Sequence, residues 1–161
     1  MEEFWATATI NNSFDLRVSI YSIYGNDQGA TPSKVTDAPS IYVGFSAGVL
    51  RAAAAAHIAR QRGQTVKGLI ALDGWGVPLC DDAVPVYRFS HDLFTHATSP
   101  LLGGAGIFFA DPPVPHLHLW GQAPQTRGWY LQAGVEAIEI SEIEALARTI
   151  ELLLMNGEHS A

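Results

Sequence analysis

Ile41-Tyr42-Val43-Gly44-Phe45-Ser46-Ala47-Gly48 runs directly into Val49-Leu50-Arg51, five alanines, and His57-Ile58-Ala59-Arg60-Gln61-Arg62. The first five residues are apolar and rich in β-branched and aromatic types, which predicts a short buried strand. Residues 49–62 are dominated by alanine, the strongest helix former, and predict a helix. Gly63 supplies its left-handed stop, and Arg60 and Arg62 favour the negative end of its dipole. Between strand and helix lies Gly44-x-Ser46-x-Gly48, the context in which a GxSxG pattern carries meaning. A tight strand-to-helix turn holds its central residue in strained backbone geometry, and glycines two positions to either side let strand and helix pass closely. Ser46 is therefore the candidate nucleophile. The Ala47 N–H, at the positive end of the helix, is placed to hold an oxyanion. The plainer alternative is a Ser46 that only caps the helix from Ala47 onward.

Outward from this turn, the same logic marks further elements. Residues 16–24 form a β-rich run that stops at Gly25-Asn26-Asp27, and the polar stretch from Gly25 to Ser40 reads as a long loop. Residues 66–72 predict a strand ending at Asp73-Gly74, and residues 84–89 one ending at Ser90-His91-Asp92. A helical stretch over 93–102 and a short strand over 106–110 follow. A terminal helix spans 141–155, with a Ser141/Glu144 capping box and Asn156-Gly157 as its stop. Continuous apolar strands alternating with helices predict an α/β fold: a mostly parallel sheet with helices on both faces. In such sheets ligands sit at the carboxyl ends of the strands, where these polar residues fall.

With 161 residues and no linker or repeat, residues 1–161 read as one domain. Charged residues are 16% against 48% hydrophobic, too apolar for disorder. The formal charge of -7 argues against nucleic acid or an anionic membrane as partner. Low charge density leaves room for a homodimer interface. Cys80 stands alone, which excludes an internal disulfide and CxxC motifs and points to a small buried apolar role. The acidic start Met1-Glu2-Glu3 and the lack of any apolar run near the ~18 residues of a membrane span predict a soluble, cytoplasmic protein.

Through YVGFSAG and the order of its later polar residues, the chain resembles the α/β-hydrolase superfamily over roughly residues 16–130. The resemblance implies a serine hydrolase acting on an ester or thioester of a small-molecule acyl substrate, with no cofactor. It also implies an acid and then a histidine after later strands. Asp92, after the second strand beyond the nucleophile helix, occupies the family's usual acid position, and Asp73, one strand earlier, is the alternative. His116 in FFADPPVPHLHLWG is the favoured base and His118 the alternative. The family's second oxyanion donor falls on Gly25 or Asn26. The chain departs from the family in the short span between its first strand and the elbow strand, and in having no insertion long enough for a lid domain. The fold expected is therefore a reduced α/β-hydrolase fold.

Other roles compete for several of these residues. His57 reads as helix packing, while His91 and His96 flank Asp92 and would orient it. Tyr42, Phe45, Trp75, Phe94, Trp120 and Trp129 could line an acyl pocket, but each reads more readily as core. His91, Asp92, His96, His116 and His118 form a weak metal-ligand pattern without an established zinc spacing, so no metal is assigned. A non-catalytic ligand-binding module on the same scaffold is the remaining alternative.

Overall fold

The computed structural model describes residues 16–21, 38–79, 83–132, 134 and 136–155. Cys80, Gly25, Asn26 and nearly all of the expected loop from Gly25 to Ser40 lie outside them. The described strands form one sheet in sequential order: β1 (Arg17–Tyr21), β2 (Ser40–Phe45), β3 (Val66–Leu72), β4 (Val86–Ser90), β5 (Ala105–Ala110), β6 (Arg127–Tyr130) and β7 (Ile138–Ser141). β1 to β5 are parallel, while β6 and β7 pair antiparallel. The mostly parallel α/β architecture expected from the sequence is present; the last two strands were not anticipated.

The alternation of side chains along each strand sets the two layers. Ile41, Val43, Phe45, Ile70 and Leu72 enter one core, whereas Tyr42, Leu69 and Ala71 enter a second core on the opposite face. Helix α1 (Gly48–Gln61) covers the second core with Val49, Ala52, Ala56 and Ala59, side chains small enough to bring the helix close to the sheet. Helix α2 (Leu93–Thr98) and the 3-10 turn Ser99–Leu102 follow β4. A Cβ at Gly106, which pairs with Arg88 on the α1 face, would meet the His96 ring, so α2 shares that face. Sequential parallel strands joined by right-handed crossovers place their helices on one side. The other face needs a separate cover. After the β6–β7 hairpin, α4 (Glu142–Met155) supplies it, crossing β3, β5, β6 and β7 with Ala145 and Leu153 buried. Its start carries the expected capping box: the Ser141 N–H and hydroxyl donate to Glu144 Oε2 at 3.1 and 2.9 Å. Those bonds hold the Glu144 carboxyl below its usual range. No helix is long and apolar enough to cross a membrane among the described residues.

Arg88 is fully buried on β4, with no carboxylate partner among the described residues. Its guanidinium instead donates to the carbonyls of Gly103 (2.7 Å), Val77 (2.8 Å), Gly74 (3.2 Å) and Leu102 (3.3 Å). One side chain thereby ties the connection after β3 to the turn before β5. Burial lowers its pKa from the ordinary arginine value.

At Gly44 the strand and helix meet so closely that a Cβ would lie 2.5 Å from Val49 Cα. Gly63 is the converse case: its φ is positive (+78°), and a Cβ there would meet open space. Gly44→Ala is expected to cost about 2–3 kcal/mol through backbone displacement, against about 1 kcal/mol for Gly63→Ala from left-handed strain alone. Urea denaturation of both variants checks the difference; equal losses would contradict a backbone contact at the elbow.

Candidate active site

β2 ends at Phe45, and the next residue, Ser46, has φ +54°. Its N–H still donates to Leu72 O at 2.9 Å, so the ladder with β3 continues through the turn. A non-glycine residue in the left-handed region is strained and persists only where its surroundings dictate it. Here the close approach of Gly44 and Val49 does so. The N-cap of α1 is Ala47, with no side-chain capping bond, so Ser46 does not serve as a helix cap. Ala47 is exposed, and its N–H donates to no backbone carbonyl among the described residues.

β3 ends in the same way. Asp73 follows Leu72 with φ +51°, and its N–H donates to Phe89 O at 2.8 Å. Its side chain, 1% exposed, receives two imidazoles. His116 Nδ1 donates to Oδ2 at 2.6 Å. His91 Nδ1 lies 2.8 Å from Oδ1 and 2.7 Å from Oδ2, and the His91 N–H adds a bond to Oδ1 at 3.1 Å. The loops bearing the two histidines are joined by Val114 N–H to His91 O at 3.0 Å. His116 also stacks on Phe45, the neighbour of Ser46, with ring centroids 4.7 Å apart, and Trp120 stacks on Phe45 at 5.3 Å. No hydrogen bond joins Ser46 to His116 among the described residues.

The acid that meets His116 is thus Asp73, not the favoured Asp92. Asp92 caps α2, its Oδ1 accepting the Thr95 N–H at 2.6 Å, and its Oδ2 lies 3.3 Å from His91 Nε2. Partial burial pushes its carboxyl up, but the Thr95 bonds, the His91 ring and the Phe94 N–H outweigh this and hold it below its ordinary value. The acids and histidines form a chain: Asp92, His91, Asp73, His116. His118 opens the short helix α3 (His118–Gly121), outside this chain. His96 lies against Phe109 with a buried, unpartnered Nδ1, and burial lowers its pKa. His57 is exposed beside Gln61 rather than packed. Of the six aromatics, Tyr42 and Phe45 are core and Trp129 is half-buried, but Trp75, Phe94 and Trp120 are exposed, contrary to expectation.

Two features were missing from the sequence reading. Asp73, His91 and His116 place their possible ligand atoms within 4.8 Å of one another, a compact three-residue group. Glu142 is fully buried, and neither carboxylate oxygen has a hydrogen-bond partner. It lies on the buried stripe Glu142, Ala145, Thr149, Leu153 of α4, so the helical period that buries the apolar residues buries it too. Desolvation, with the negative charge of Asp73 adding to it, pushes its carboxyl up to about 8.

The folded protein therefore keeps the Glu142 proton up to about pH 8, while the unfolded chain releases it near 4.5. Between those values the folded state binds more protons, so stability falls as pH rises through the window. Glu142→Gln removes that fall: its stability should exceed that of the wild type by roughly 1–4 kcal/mol at pH 9, with the gap closing toward pH 5. Parallel pH–stability curves for the two proteins would rule out a buried proton on Glu142. Comparison of the chain with protein-family models, with curated proteins and with solved structures finds no match.

Proposed function

We propose that the protein is a serine hydrolase on a reduced α/β-hydrolase fold, with Ser46 as nucleophile, His116 as general base and Asp73 as the acid that orients it. The observation that carries this reading is the 2.6 Å bond from His116 Nδ1 to the buried Asp73, on the strand end adjacent to that of Ser46. The bond fixes the tautomer in which Nε2 is free to take a proton. A serine in the left-handed turn at the end of β2, outside the helix cap, supports the nucleophile role. In the reaction Ser46 Oγ bonds to the acyl carbon as its proton passes to His116. The alcohol or thiol leaves with that proton, and water then releases the acid by the same route. The Ala47 N–H is the first oxyanion donor; the second, assigned to Gly25 or Asn26, lies outside the described residues.

A fluorophosphonate probe tests the nucleophile without knowledge of the substrate. One stoichiometric adduct by intact mass is expected on the wild type and none on Ser46→Ala; a folded wild type that gains no mass would end this reading. For the acid, Asp73→Asn is expected to lower turnover of a reporter ester by roughly 10³–10⁴-fold, since an amide stabilises the wrong tautomer. Asp92→Asn should stay within about threefold of the wild type and keep its stability, since an asparagine Oδ1 accepts the Thr95 N–H as an N-cap equally well. The reverse pattern would return the acid role to Asp92.

The compactness of Asp73, His91 and His116 favours a second reading, a divalent-metal site of two imidazoles and one carboxylate. Metal analysis and assay after chelation separate the two: activity that survives chelation supports the serine mechanism, and activity lost to chelator and restored by zinc supports the metal.

A further inference from the structure

The exposed apolar side chains are unevenly distributed. Six of the ten large hydrophobic residues exposed among the described residues are Leu50, Trp75, Leu93, Phe94, Leu117 and Trp120. Leu50, Trp75, Leu93 and Phe94 lie within five residues of the carboxyl ends of β2, β3 and β4, and Leu117 and Trp120 lie on the connection that joins the end of β5 to the antiparallel β6. This is the end of the sheet that carries Ser46, Asp73 and His116. Leu50 and Trp75 are each 60% exposed and Phe94 is 67% exposed, so these are not marginally uncovered core residues. The Trp75 indole N–H is engaged by Thr98 Oγ1 at 3.1 Å, which leaves the ring itself to offer. Trp120 shares the Phe45 ring with His116, placing an exposed indole beside the base.

The charges at this end narrow the ligand further. Across residues 46–51, 73–79, 91–98 and 111–126 the only Lys or Arg is Arg51, against the carboxylates of Asp73, Asp92 and Asp111. The buried guanidinium of Arg88 is committed to four backbone carbonyls. These connections hold no cluster of cations to recognise a phosphate or a nucleotide-bearing thiol. We infer that the Ser46 site takes uncharged carboxylic esters with an apolar acyl chain, and that Trp75, Phe94 and Trp120 are the surface on which that chain lies. The inference rests on the serine-hydrolase reading and specifies its substrate class.

The test is a chain-length series. kcat/KM is measured for p-nitrophenyl acetate, butyrate, hexanoate and octanoate on the wild type, on Trp75→Ser/Phe94→Ser and on Leu101→Ser, whose exposed side chain lies away from this end. The wild type is expected to gain roughly threefold per added methylene, as burial of a CH₂ predicts. The double variant should flatten that slope, and Leu101→Ser should match the wild type. Labelling rates with short- and long-chain alkyl fluorophosphonates give the same comparison without turnover. If Ser46 reacts but neither series depends on chain length, or octanoyl-coenzyme A is preferred to the octanoate ester, the substrate inference is overturned and the hydrolase reading stands. If Ser46 neither labels nor turns over any ester while the protein is folded, the hydrolase reading itself fails and takes this inference with it.

Discussion

The site is organised around one buried carboxylate. Asp73 leaves β3 in a left-handed turn, with its side chain almost wholly removed from water. An isolated carboxylate in that position would be strongly unfavourable. Three donors offset the cost: the His91 N–H, His91 Nδ1 and His116 Nδ1. These donors come from the connections after β4 and after β5, so satisfying Asp73 draws two separate loops to one point. Charge-assisted bonds of this kind are short and directional, and the 2.6 Å contact to His116 fits that description. The imidazole is then clamped from a second side by the Phe45 ring, whose backbone is already fixed in the sheet. Removing Asp73 would take away the side chain that both imidazoles meet, leaving the two loops joined through the Val114 N–H to His91 O bond.

The strand end that presents Asp73 is itself held from behind. Arg88 points into the α1 face and gathers carbonyls from residues 74, 77, 102 and 103. Those carbonyls belong to irregular backbone that no strand or helix ladder satisfies, and a guanidinium with five fixed donors is suited to them. A lysine at this position could not span the same spread of acceptors. On the opposite face α4 closes the core, and its register carries Glu142 inward with Ala145, Thr149 and Leu153. The two faces therefore do different work: one braces the loops of the site, and the other sets the dielectric beneath it.

Much of this was legible in the residues. The elbow stretch 41–62 gave strand, turn and helix because three local signals agree there: apolar run, paired glycines and alanine block. The capping box at Ser141 and Glu144 likewise marked the start of α4. β6 and β7 were missed because each has only four residues, too few for a period-two pattern, and Gly128 breaks the first. A Cβ at Gly128 would lie 2.0 Å from Phe109 O, so the glycine is required by the pairing although it weakens the strand signal. Asp92 was favoured over Asp73 because it follows the strand after which the resembled family usually carries its acid, and sequence order carries no information about which loop turns inward. Asp92 begins a helix and its side chain turns back to the Thr95 N–H, whereas Asp73 precedes a glycine and is free to project into the site. The exposure of Trp75, Phe94 and Trp120 was equally hidden, since an aromatic beside a helix start looks the same whether it packs inward or faces water.

Three carboxyl groups linked to this cluster show why Asp73 is the one proposed for the acid role. Asp92 is partly exposed and holds its charge with the help of a helix cap, so its field at His116 is screened by water and distance. Glu142 is buried with no donor at either oxygen, and the cheaper solution there is to keep the proton. Asp73 alone combines burial with donors. In the proposed mechanism, burial would strengthen its interaction with an imidazolium developing on His116, while the donors stabilise its negative charge beforehand. The negative charge of Asp73 in turn reinforces the neutrality of Glu142. The two buried acids thus differ in the donors that surround them: three reach Asp73, and none reaches either carboxylate oxygen of Glu142.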